Sequence, residues 1–244
     1  MAKIYSMPAR GIEAEWYVPG FGPRKFRLLM GLLSLPHTAM MLAFTIIGAM
    51  TAPKLDWSVL GEAALVLVLG MGIAARLFEA VSGRSDQAAG LVRPVWLKAA
   101  AVASAAAALV LAFRLCASGA TGFGGVIAAE CLLVAACARN WFGGAFRTET
   151  WRAVAWGFLP VIAGYVAQAQ SLTLQVCALG AAMCLFSRVV IKAGRGYAEI
   201  KQGRVAPLNE NEQLLLRLKH VLGGVSTGVI LLGVAAAVGR IALQ

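Results

Sequence analysis

Long apolar runs broken by short polar stretches dominate the chain. Seven stand out, at residues 28–51, 57–75, 96–116, 121–138, 153–170, 171–187 and 221–240. Each is near the ~20 residues a helix needs to cross the hydrocarbon core of a bilayer, and runs of this kind read as membrane-spanning helices. The pair covering 153–187 has almost no linker; Gln168, Gln170 and Ser171 mark a tight hairpin there. The expected fold is all-α, a polytopic transmembrane bundle of about seven spans over residues 26–244, preceded by a cytoplasmic N-terminal segment, 1–25. The opening MAKIYSMPARGIEAEWYVPGFGPRKF carries no apolar stretch before a small-residue cleavage site, so the first span is expected to act as the insertion signal.

Composition sharpens this picture. Hydrophobic residues make up 60% of the chain and charged ones only 14%, whereas a soluble domain manages with about half its residues apolar. The net charge of +11 would suggest nucleic acid in a soluble protein. In a polytopic chain it follows instead from Lys and Arg gathering in cytoplasmic loops, so no nucleic-acid partner is expected. Of the 22 basic residues only Lys54, Arg114 and Arg240 fall outside the stretch before the first apolar run and the second-to-third, fourth-to-fifth and sixth-to-seventh connections. This asymmetry puts the N-terminus and the loops at 76–98, 139–152 and 188–219 on the cytoplasmic side and the C-terminus outside. The expected location is a bacterial or archaeal inner membrane. Cys116, Cys131, Cys137, Cys177 and Cys184 form no CxxC pair and read as small apolar fillers. No GxxxxGK[ST] or HExxH occurs, and two histidines cannot build a histidine-rich metal site.

Candidate chemistry gathers where charge interrupts the apolar pattern. In ARLFEAVSGRSDQAAGLVRP, residues 75–94, Glu79, Ser82 and Asp86 are followed by Arg93-Pro94. The spacing resembles the first signature, NDxxDxxxD, of the UbiA superfamily of intramembrane prenyltransferases, with its downstream Arg-Pro. LPHTAM, with Pro36, His37 and Thr38, resembles the RPHT-like start of that family's first helix. WFGGAFRTETWRAVAWGFLPVIAGYVAQAQ resembles its fifth helix and the basic loop before it. RGYAEIKQG sets Arg195, Glu199 and Gly203 in the register of the second signature, DxxxDxxxG. The resemblance runs from about residue 25 to residue 240 and implies a UbiA-like fold.

It also implies chemistry: transfer of an isoprenoid chain from a prenyl diphosphate to a lipophilic acceptor within the bilayer, with Mg²⁺ bridging the diphosphate. The carboxylates left as metal ligands would be Glu79, Asp86 and Glu199, and Mg²⁺ favours such hard oxygen donors. Arg84 and Arg147 would contact the diphosphate, and His37 would stand in the substrate-binding set. The departures lie in the same motifs. Phe78 takes the Asn position, Ser82 the middle Asp, and Arg195 the first Asp of the second signature, where it would repel a metal. The basic residues offer another route, because Arg76, Arg84, Arg93, Lys192 and Arg195 could hold phosphate directly through charge-assisted hydrogen bonds. They could equally serve orientation and anionic lipid headgroups.

Glu130 lies near the middle of the fourth apolar run, where a charged carboxylate costs roughly 2.5–3.5 kcal/mol on insertion scales. It is expected to face the bundle interior and is the catalytic candidate. Two other readings remain beside the transferase: a non-catalytic relative that binds lipid or isoprenoid as a membrane subunit or scaffold, and a small transporter.

Overall fold

The computed structural model describes residues 15–19, 21–81, 94–138, 141–201 and 208–242, and the side chains of Glu79 and Arg147 lie outside that description. Every regular element among the described residues is helical. The first two helices are α1 (Arg24–Leu33) and α2 (Leu35–Met50). Next, α3 (Trp57–Leu67) runs through a π-helical stretch (Val68–Ala74) into α4 (Ala75–Glu79), and α5 (Pro94–Ala117) and α6 (Thr121–Ala138) come after it. A 3-10 turn (Trp141–Arg147) leads to α7 (Glu149–Ala153), a second π-helical stretch (Val154–Phe158) and α8 (Leu159–Ala169). The last two are α9 (Leu174–Lys201) and α10 (Leu208–Ala242).

Among the described residues five helical segments are long and apolar enough to cross a membrane: Arg24–Met50, Trp57–Phe78, Val95–Ala117, Leu174–Lys201 and Leu214–Ile241. Thr121–Cys137 is apolar but shorter.

Local chemistry sets the ends and breaks of these elements. Asp56 caps α3 by accepting from the amides of Ser58 (2.8 Å) and Val59 (3.3 Å). The Ser58 hydroxyl, with these amides, holds the Asp56 carboxyl below its ordinary pKa. The chain turns after α8 at Gln170, which takes a left-handed conformation, φ 53°. The second π-helical stretch ends just before Pro160, whose ring nitrogen cannot donate to the helical ladder.

Long-range bonds sort the helix ends into two groups. At one end Gln168 exchanges two hydrogen bonds with the Asp56 backbone, Arg240 donates to the carbonyls of Ala52 and Pro53, and Arg114 pairs with Glu62. At the other end Arg76, in α4, reaches Ser34 at the start of α2, and Arg195, late in α9, pairs with Glu149 at the start of α7. Two of the three basic residues expected on the outer side are thus engaged with acceptors at one shared end.

Several helices overrun the expected apolar segments, and for α9 the reason is amphipathicity. Although the sixth run is expected to stop at residue 187, α9 continues to Lys201. Its buried face passes without interruption through Met183, Ser187, Val190, Gly194 and Tyr197, while Arg188, Lys192 and Arg195 lie off that stripe and are exposed. Alternating spacings of three and four keep one stripe inside, so the charges end the hydropathy signal without ending the helix. The stretch expected as a loop from residue 76 begins as helix α4, and α10 starts at Leu208 rather than near 221.

The centre of the bundle is the α2–α8 contact. A Cβ at Gly48 would overlap the Val161 carbonyl, and one at Gly164 would overlap the Thr45 carbonyl. Backbones approach this closely in membrane proteins only where side chains are absent. Gly48→Ala or Gly164→Ala is therefore expected to cost about 1–3 kcal/mol by overpacking. It should lower the melting temperature in detergent. Gly61→Ala, at a position with no atom near the added methyl, should not.

Candidate functional site

At the end of the bundle where α2 begins, a cavity of about 240 Å³ opens between α2, α4, the α7 region and α9. Among its lining residues are His37, Arg76, Arg152, Trp156 and Arg195, with Glu15 and Tyr17 from the segment preceding α1. Each reaches the cavity for a local reason. Ser34 breaks the helix between α1 and α2 in a left-handed conformation, φ 48° and ψ 47°, and His37 stands one turn later. Arg76 comes just after the π-helical stretch of residues 68–74, and Trp156 sits within the other. Such stretches add a residue to a turn and re-aim the side chains beyond it, and they recur at functional sites.

The cationic groups are braced by aromatic rings, a hydroxyl and a carboxylate. The Arg76 guanidinium lies 4.5 Å from the Trp156 ring centroid, a cation–π contact worth about 0.5–2 kcal/mol. Its Nη2 donates to Ser34 Oγ at 3.2 Å, and Ser34 Oγ lies 2.9 Å from His37 Nδ1. Trp16, Tyr17 and Trp156 surround the His37 ring edge-on, with centroids 5.5–6.3 Å away. The Tyr17 hydroxyl donates to the Gly31 carbonyl at 3.1 Å, fastening the preceding segment to α1. Arg195 pairs with Glu149 at 2.7 Å; because the arginine is half exposed, the pair contributes at most about 1 kcal/mol. Three guanidiniums thus line the cavity against one lining carboxylate, Glu15.

The structure brings together His37, Arg76 and Arg195 from the expected set. Lys192 lies on the exposed side of α9, and Glu199 is half-buried one turn beyond Arg195; neither lines the cavity. Arg84, Asp86 and Arg93 lie outside the described residues, as do the side chains of Glu79 and Arg147. Among the described residues no group of three or more His, Cys, Asp or Glu is arranged to hold a metal ion. The donors in the cavity are mainly guanidiniums, which do not fit Mg²⁺.

Motif spacing does not single out Arg152 and Trp156. They stand four residues apart and so share one helical face, with Glu149 one turn earlier. Once the helix start at Thr148–Glu149 is known, that face is readable. An adjoining face of α7 borders a second, apolar groove of about 680 Å³, walled by Leu132, Leu133, Trp141, Phe142, Phe146 and Trp151.

Glu130 is 3% exposed, so it faces protein rather than lipid, as expected. It lines neither the cationic cavity nor the groove, and its Oε1 is buried without a hydrogen-bond partner among the described residues. Removing such an atom relieves a desolvation cost. Glu130→Leu should therefore leave the melting temperature unchanged or raised and leave ligand binding at the cavity intact. A loss of binding would return Glu130 to the site.

The comparisons with known proteins add no relative to this picture: no family model, no curated protein and no solved structure matches the chain.

Proposed function

We propose that this is an intramembrane protein related to the UbiA superfamily, which binds the phosphorylated head of a membrane-soluble isoprenoid in the cationic cavity, through arginines rather than a metal. The observation that carries this reading is the convergence of Arg76, Arg152 and Arg195 on one cavity at one end of the bundle. Guanidiniums offer paired donors that match phosphate oxygens, and the Trp156 ring covers one face of Arg76. The apolar groove across α7 supports an amphiphilic ligand, since a long hydrocarbon tail needs apolar surface close to its head. The topology that goes with this reading has seven crossings, the N-terminus and the cavity on the cytoplasmic side, and an inner-membrane location. Its support is the clustering of basic residues at the cavity end.

A second reading is chain transfer. The allylic C–O bond would break with its electron pair going to the diphosphate, and the acceptor would bond to the freed carbon and release a proton. Arginines around the leaving diphosphate favour this step, because fixed cations stabilise charge that develops there. The structural-subunit alternative needs no ligand.

Binding of farnesyl diphosphate to the protein in lipid nanodiscs, measured with EDTA and again with Mg²⁺, separates these readings. The expected result is binding that persists in EDTA and falls about tenfold or more in Arg76→Ala and in Arg152→Ala. Binding that appears only with Mg²⁺ would restore a metal site, and no binding would favour a scaffold. Prenylated product on adding a lipophilic acceptor would establish transfer.

A further inference from the structure

Ser34 is wholly buried and carries a backbone conformation that serine seldom adopts, φ 48° and ψ 47°. The left-handed region is costly for any residue with a Cβ and free for glycine. A turn linking two helices would ordinarily favour glycine at such a place. A serine kept there asks what its hydroxyl supplies. At the start of a helix the usual answer is capping, in which the hydroxyl accepts from an amide of the first turn. Here it makes no such bond. It lies instead between Arg76 Nη2, at 3.2 Å, and His37 Nδ1, at 2.9 Å, and both partners line the cationic cavity.

A guanidinium only donates, so Ser34 Oγ accepts from Arg76. Its hydroxyl hydrogen has His37 Nδ1 as the acceptor recorded among the described residues, and donation to it leaves the proton of a neutral imidazole on Nε2. We infer that Ser34 is a positioning residue of the anion site: it fixes His37 as an Nε2–H donor and holds Arg76 in place for a phosphate-bearing ligand. This inference rests on the proposed binding of a phosphorylated head in the cavity. Its cost is the left-handed backbone, and strain held in this way at a site is a recognised mark of function. The break itself does not need the hydroxyl. His37 and Thr38 donate their amides to the Ser34 carbonyl, and the Ser34 amide donates to Met30, contacts a glycine would keep.

The test compares Ser34→Gly and Ser34→Ala with the unaltered protein in nanodiscs. Three properties are measured: melting temperature, pyrophosphate affinity in EDTA, and the ¹⁵N spectrum of the imidazoles. The chain has only two histidines, so His220→Gln assigns the His37 signals. Ser34→Gly is expected to melt no lower than the unaltered protein, because the strain is relieved. Its pyrophosphate affinity should fall about tenfold, the loss typical of a displaced charge-assisted contact. The Nε2–H signature of His37 should give way to a mixture of tautomers. Ser34→Ala should lose affinity equally and melt lower than Ser34→Gly.

Unchanged affinity and an unchanged His37 spectrum in Ser34→Gly would overturn the inference, as would a Ser34→Gly protein that melts below Ser34→Ala. If the unaltered protein binds no pyrophosphate or farnesyl diphosphate, the phosphorylated-ligand reading fails, and with it the positioning role. A tautomer shift in Ser34→Gly would then still report the hydrogen bond as structural.

Discussion

The close approach of α2 and α8 governs the rest of the molecule. Gly48 and Gly164 each face a backbone carbonyl of the other helix at a distance that admits no side chain. In lipid there is no hydrophobic force between helices, so such backbone packing has to supply the association. With these two helices in contact, their preceding segments are carried to the same end. The helix break before α2 delivers Ser34 and His37, and the π-helical stretch before α8 delivers Trp156, with Arg152 one turn earlier. The floor of the cationic cavity is therefore a consequence of the central contact. The outer helices complete it, α4 with Arg76 and α9 with Arg195.

Charge is distributed to match. At the end away from the cavity, Arg114 faces Glu62 and Arg240 faces two carbonyls, so those cations are satisfied by local acceptors. Around the cavity, guanidiniums outnumber the lining carboxylate. Arg76 is held over an indole and by a hydroxyl. A guanidinium tolerates such surroundings because its charge is delocalised and its hydration weak.

Much of the architecture is legible in the sequence. Apolar runs locate the helices because a membrane helix must satisfy its backbone internally and present carbon to lipid. Hydropathy does not mark the continuation of α9 to Lys201, where a buried stripe persists under a charged face. Nor does it mark the break at Ser34, where neither glycine nor proline stands and a proline two residues later is the nearest sign. His37 and Arg195 read as candidates through the motifs they stand in and Arg76 as a basic residue closing an apolar run, and the three share one cavity. Motif spacing passes over Arg152 and Trp156, whose shared face becomes readable only once the helix start at Thr148–Glu149 is known. Glu130 stands out as a carboxylate within an apolar run, but burial alone does not bring a residue to a site.

The claim at the centre of this account is that arginines, without a metal, receive a phosphorylated head in the cavity. A cryo-electron microscopy structure of the protein in nanodiscs with farnesyl diphosphate and EDTA tests it most directly. The account predicts phosphate density within hydrogen-bond reach of Arg76, Arg152 and Arg195. A ligand bound elsewhere, or phosphate density at this end only when Mg²⁺ is supplied and held by carboxylates, would contradict it.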